Sequence, residues 1–243
     1  MLSIYNNSTK FFVVSNFGKK RFYKLLSEPN KEEFDAKVKV IPMGIYASKI
    51  KNRQTINSFN ENKFNIMIIG RIVKKKGIKY AIKAMKKLDN IDFALHICGD
   101  GPLKEELENL TSELDLNENV KFYGWITEND KYSFLHSADI LLVPSVETLE
   151  GNKEGLPVVI LESLAAELPI IASDVGGIKD AVINGETGFL IKEKSVDDIV
   201  KKIKYIYENK DVLKILEQNI KSHAHKFDWK EIARLYLDEI KTK

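Results

Sequence analysis

The sequence predicts an α/β fold, a parallel sheet with helices on both faces, on three observations. Short runs of continuous apolar character recur at 64–69, 93–97, 120–123, 139–143, 170–173 and 188–191, without the in-out alternation of a half-solvated strand. Stretches of helical length separate most of them. Glycine and basic residues cluster directly behind several of the runs, where ligands bind in such sheets, beyond the carboxyl ends of the strands and near a topological switch point.

Taken in order, 11–15 is a short buried strand, and Ser15 or Asn16 caps a helix running through Leu26. Residues 38–41 form another strand, ended by Pro42 and Gly44. Composition then shifts, and 47–63, rich in Asn, Ser and Lys, reads as a linker between a short N-terminal part (1–46) and the regular part. From there strand 64–69 leads to helix 77–88, strand 93–97 to helix 103–114, and strand 120–123 to helix 128–136. Strand 139–143 leads to helix 158–166, and strands 170–173 and 188–191 follow. Helices at 196–209, 212–226 and 229–240 complete the chain, with no internal repeat and no low-complexity tract.

Composition narrows the function classes. A chain of 243 residues with 44% hydrophobic and 30% charged residues is ordinary for a globular protein with a real core. A net charge of +3 gives no warrant for nucleic-acid binding. Cys98 is the single cysteine, so no intrachain disulfide forms, and its apolar setting marks a buried strand residue. No apolar run reaches the ~20 residues of a membrane span, and 1–10 lacks a signal-peptide layout, which fits a cytoplasmic, reducing location. His96, His136, His223 and His225 form no metal-ligand cluster, and DxD, HExxH and GxSxG patterns are missing.

The segment Glu154-Gly155-Leu156-Pro157-Val158-Val159-Ile160-Leu161-Glu162 carries the most information. Gly and Pro read as a turn into a helix, with Pro157 near its first turn. Glu154 then stands at the positive end of the helix dipole and Glu162 on the same helix, ~12 Å along the axis and roughly 80° around it. That spacing suits a ligand lying along the helix with one polar end at each carboxylate, as a nucleotide-sugar would. Two solvated glutamates on a surface helix are the plain alternative.

Behind strand 64–69 comes Gly70-Arg71-Ile72-Val73-Lys74-Lys75-Lys76-Gly77. Gly70 and Gly77 permit a tight loop, while Arg71 as a fork and Lys76 as a point charge can converge on a diphosphate. Lys74 and Lys75 read as solvated. Gly99-Asp100-Gly101-Pro102 reads as a turn. Trp125 reads as a core residue, with packing on a nucleobase as the alternative, and Gly176-Gly177 can offer backbone N–H groups to a ligand's oxygens.

These elements in this order resemble the donor half of glycosyltransferase family 4, retaining enzymes of the GT-B fold, whose C-terminal half is a Rossmann-like domain. Glu154 to Glu162 is similar to that family's E-x7-E motif, and Gly70-Arg71 through Lys76-Gly77 to its GR…KG motif. His96 to Leu103, Ser137-Ala138-Asp139, Val175-Gly176-Gly177-Ile178 and the run from Asn184 to Leu190 resemble further landmarks. The resemblance implies a hexosyl transfer from a nucleotide-diphosphate sugar with retention, in polysaccharide or glycoconjugate synthesis, with no metal and no other cofactor. It implies that Arg71 and Lys76 bind the diphosphate and stabilise the leaving nucleotide, that Glu162 accepts from the ribose hydroxyls, and that Glu154 faces the transferred sugar. Gly70, Gly155 and Leu156 would line the donor beside them.

Two positions depart from the family pattern. Pro157 stands where many members carry Gly, removing a backbone donor, and Lys179-Asp180 stands where Pro-Glu is common, with little consequence expected. The resemblance also divides the chain into the end of an acceptor domain and hinge (1–46), the linker, a donor domain (64–226) and a last helix (227–243). The apolar face of that helix (Trp229, Ile232, Leu235, Tyr236, Ile240) would pack toward the rest of the acceptor domain, be partly exposed, or recruit a partner. A fragment, a split enzyme with a separate acceptor subunit, and a non-catalytic nucleotide-sugar-binding module are the accounts left open. A GT-B-like epimerase is the alternative from another class. Peripheral association with the inner face of a membrane is compatible with such enzymes, while Lys19-Lys20-Arg21 reads as a solvated helix face.

Overall fold

The computed structural model describes residues 2–26, 29–51 and 59–241. The N-terminal part holds α1 (Leu2–Asn7), β1 (Phe11–Val13), α2 (Asn16–Leu25), α3 (Lys31–Lys37) and β2 (Val38–Val40), followed by α4 (Ala47–Lys51). β1 and β2 pair in parallel, with Phe11 opposite Val38. Ser15 caps α2 by accepting from the Gly18 N–H at 3.0 Å. Phe22, Phe34 and Val38 form the small core of this part, with the Tyr5 and Phe11 rings against Phe22.

β3 (Phe64–Ile69), α5 (Ile78–Met85), β4 (Phe93–Cys98), α6 (Lys104–Glu113), β5 (Val120–Gly124), α7 (Glu128–Ser137) and β6 (Ile140–Val143) build the first half of the larger domain. α8 (Val158–Ala165), β7 (Ile170–Ser173), β8 (Gly188–Ile191), α9 (Val196–Glu208), α10 (Lys210–His223) and α11 (Trp229–Lys241) complete it. The six-stranded sheet has the order β5-β4-β3-β6-β7-β8, parallel throughout, and reverses direction between β3 and β6. The inner strands β3, β6 and β7 are buried on both faces, which explains their near-continuous apolar sequences, while the edge strand β5 exposes Lys121. Ile66 and Ile68 face one core with α5 and α9, while Met67 faces the other with α8.

The stretch 47–63 is not uniformly irregular. Ala47–Lys51 is helical because Ile50 is fully buried, and Phe59 is buried against the ring of His96, with centroids 3.7 Å apart; residues 52–58 lie outside the described residues. α1 and α3, absent from the sequence reading, are short polar helices held by single aromatic anchors such as Phe34. The last helix packs on the N-terminal part. Its Ile232 is buried, Tyr236 meets the Phe12 ring edge-on at 4.9 Å, and Glu239 pairs with Lys10 at 3.1 Å and Lys39 at 3.9 Å. Leu235 and Ile240 remain exposed.

Candidate functional site

Because the sheet is parallel, the carboxyl ends of all six strands open on one edge, and the reversal between β3 and β6 leaves a crevice there. Two loops line it: Gly70 to Gly77 after β3, and 144–157 after β6. The Val146 N–H donates to the Lys75 carbonyl at 2.8 Å and stitches them together. Lys74–Lys76 coil into a 3-10 turn closed by Gly77 in the left-handed conformation, φ 63°. This turn aims two ammonium groups at Glu154: Lys76 Nζ lies 3.0 Å from Oε1 and Lys75 Nζ 3.6 Å from Oε2. Lys75 therefore belongs to the site and is not the solvated residue its sequence context suggests. Lys76 sits off the hydrogen-bonding direction, so Glu154 Oε1, buried, accepts no hydrogen bond.

Glu154 precedes the helix instead of standing in it. Pro157, with φ −64° and ψ 124°, is the residue before the first helical turn, and α8 starts at Val158. The expected helical spacing between the two carboxylates therefore does not hold. Each is buried against lysine from a different element. Glu162 lies within α8, and its Oε1 accepts from Lys131 Nζ of α7 at 2.6 Å. Lys131 was not legible in the sequence, since nothing local connects it with a glutamate on another helix.

Gly176 and Gly177 hold the Glu154 segment from the other side. A Cβ on Gly176, whose φ is 63°, would stand 1.9 Å from the Glu154 carbonyl oxygen. The Gly177 N–H donates to the Gly155 carbonyl at 2.6 Å, so it is committed to the backbone and not offered to a ligand as the sequence suggested. Asp180, expected to matter little, accepts from the backbone N–H of Asn16 at 2.6 Å and ties the N-terminal part to this strap.

Arg71 is exposed, has no ion pair among the described residues, and lines two cavities. One, about 810 Å³, runs past Gly70, Gly99 to Pro102, Trp125 and Lys131. The other, about 820 Å³, runs past Lys74 to Lys76, Thr148, Asn152 and Lys153. Trp125 is 84% exposed and not a core residue. Gly124, φ 66°, ends the edge strand β5 and turns the chain out of the sheet there. Cys98 is fully buried beneath, and burial pushes its thiol up to about 12, which removes it as a nucleophile. Leu156 and Val159 are buried around the carboxylates. Among the described residues no group of His, Cys, Asp and Glu is arranged to hold a metal ion, and no helix is long and apolar enough to cross a membrane.

The family model described as "Glycosyl transferases group 1" matches residues 49–225. An uncharacterized glycosyltransferase of Methanocaldococcus jannaschii is 30% identical over 210 residues, 82% of this chain and 52% of its own length. A second from the same organism is 31% identical over 71% of this chain and 47% of its own. The chain thus spans about half the length of these relatives. HepE of Anabaena, in complex with UDP, superposes with a TM-score of 0.85 at 19% identity, over 99% of this chain and 65% of that one, a likeness of fold.

Proposed function

The chain belongs to the glycosyl transferases of group 1, and from that premise we propose that it is the donor-binding half of a retaining, metal-independent family 4 enzyme that transfers a hexose from a nucleotide-diphosphate sugar. One observation carries the reading: two buried carboxylates are each paired with a lysine, Lys76 or Lys131, that lines a cavity shared with Arg71. The donor lies with its ribose at Glu162 and its sugar at Glu154. Lys131 fixes Glu162 Oε1 and leaves Oε2 to accept from a ribose hydroxyl. Glu154 Oε1, which has an ion pair with Lys76 but accepts no hydrogen bond, accepts from a sugar hydroxyl, with Gly155 and Leu156 alongside. Arg71 and Lys76 take the diphosphate and neutralise the charge that grows on it as the glycosidic bond breaks, the electrostatic contribution that is usually largest. Charge neutralisation by these two side chains makes a metal dispensable. Trp125, at the rim of the cavity beside Arg71, packs on the base.

The acceptor wall comes from a further Rossmann-like half, in the same polypeptide or a separate subunit, and the complete enzyme works in the cytoplasm at the inner membrane face on polysaccharide or glycoconjugate synthesis. Uridine nucleotides are the first candidates, since the Anabaena relative is described in complex with UDP.

Titration calorimetry with UDP, GDP and ADP, and then with UDP- and GDP-sugars, tests the reading. One nucleotide binds selectively, and Glu162→Ala and Arg71→Ala each weaken it by about 1.5–3 kcal/mol, the worth of a charge-assisted contact, with the domain still folded. Unaltered affinity in both variants would remove the site as drawn. Conversion of the donor to an epimer without any acceptor would replace transfer by epimerisation, and tight donor binding with no turnover in the presence of an acceptor half would leave a binding module.

A further inference from the structure

We propose that the groove between α2 and α3 binds a lipid phosphate, an alkyl chain lying on its aromatic floor and the phosphate on its basic rim. The groove encloses about 780 Å³ over Phe17 and Tyr23. Among the described residues its rim carries Lys19, Lys20, Arg21, Lys24 and Lys31 against a single carboxylate, Asp35. Lys19 already pairs with Asp35 at 2.8 Å, and among the described residues none of the other four cations has an ion pair in the groove. α2 itself contains no acidic residue. An apolar floor under a one-sign rim matches an anionic amphiphile.

The groove neighbours the donor crevice without sharing a lining residue with it. Phe17, on its floor, lies under the Lys153 ammonium at 5.7 Å, and Lys153 lines the cavity shared by Arg71 and Lys76. Asn16, at the same end, is held by two hydrogen bonds to Asp180, at 2.6 and 3.2 Å. Binding in the groove does not rest on the donor reading above.

Dodecyl phosphate below its micelle concentration is the probe, titrated into the full chain, with dodecyl maltoside and inorganic phosphate as comparators and UDP on the same sample. Lys20, Arg21 and Lys24 are exposed, so their simultaneous replacement by glutamate leaves the fold and the UDP affinity intact. Dodecyl phosphate binds saturably, and the triple variant weakens it by about tenfold or more, with a salt dependence expected of exposed charges. Equal binding of dodecyl maltoside, equal binding of inorganic phosphate, or an unchanged triple variant would each overturn the groove. Binding of UDP without dodecyl phosphate removes the groove alone. Binding of dodecyl phosphate without UDP removes the donor reading and leaves the groove standing.

Discussion

His96 and Glu154 are both buried polar residues of one sheet domain, 5% and 6% exposed, yet their surroundings are finished to different degrees. The Asn65 amide nitrogen donates to the carbonyls of Asn60 and Lys63, so its Oδ1 is an acceptor and receives the His96 Nε2 proton at 3.0 Å. The bond network then assigns His96 Nδ1 as acceptor for the Tyr123 hydroxyl at 2.9 Å. Every polar atom of the imidazole is used, and Phe59 covers its face. Around Glu154 the opposite holds. Glu154 Oε1, Ser145 Oγ and Ser173 Oγ are buried without a hydrogen-bond partner, although Lys76 Nζ stands 3.0 Å from Glu154 Oε1; Ser145 and Ser173 lie at or just past the carboxyl ends of β6 and β7, and Glu154 in the long loop after β6. Among the described residues one further buried side-chain atom shares that state, His223 Nε2 in the C-terminal helices. An unmet buried polar atom costs stability. On the proposed function the unmet atoms gather where a polyhydroxylated donor would complete them, while the His96 network is already complete within the protein.

The largest effect comes from removing the support of the unfinished cluster. Gly176→Ala drives a methyl into the Glu154 carbonyl and forces a left-handed φ on alanine. The strap must move, and unfolding free energy falls by roughly 3–5 kcal/mol, read as a lowered denaturant midpoint. A midpoint within experimental error of wild type would show that the strap is looser than drawn. The finished cluster is broken by protons instead. Burial first, and the nearby Lys121 charge second, lower His96 from 6.5 to about 4. Between those values the unfolded chain holds a proton that the folded chain refuses, so this contribution is complete above pH 6.5 and is lost as pH falls toward 4. Its full size is about 3 kcal/mol. Asp139, raised by burial, acts in the opposite sense in the acid range. The difference between wild type and His96→Gln isolates the histidine: that difference narrows from pH 7 to pH 5, and a constant difference would count against it.

How much of this was legible follows the same division. The sheet strands were readable because burial on both faces writes an unbroken apolar run, as in Ile66-Met67-Ile68. Arg71 and Lys76 could be singled out because they follow a strand end, and Glu154 because it flanks a helix start, positions set by local chain geometry; Glu162, inside α8, was singled out by its spacing from Glu154 and the resemblance of that spacing to a family motif. What the sequence did not disclose depends on distant partners. Lys131 meets Glu162 across two helices, Lys75 differs from Lys74 only in which way a 3-10 turn points it, and Gly177 is occupied by a carbonyl of another loop. Trp125 was misread because bulk and apolarity usually mean core, whereas a left-handed glycine on an edge strand had turned it outward.

Lys131 offers the finest test of the contrast, since its ion pair with Glu162 is also a hydrogen bond, whereas the pair of Lys76 with Glu154 is not. Lys131→Ala removes the 2.6 Å bond to Glu162 Oε1 and leaves a buried carboxylate facing the cavity. If the lysine only satisfies Glu162 in the empty protein, a ligand hydroxyl would replace it and nucleotide affinity would rise. If it orients the carboxylate so that Oε2 meets the ribose, affinity falls, by about 1 kcal/mol, less than for Glu162→Ala because the accepting oxygen is still present. The second outcome is the one expected, because Glu162 has two oxygens and Lys131 engages one of them. A gain in UDP affinity in Lys131→Ala would reverse this assignment and place Lys131 as a stand-in for the ligand, making the two carboxylate ends of the crevice alike after all.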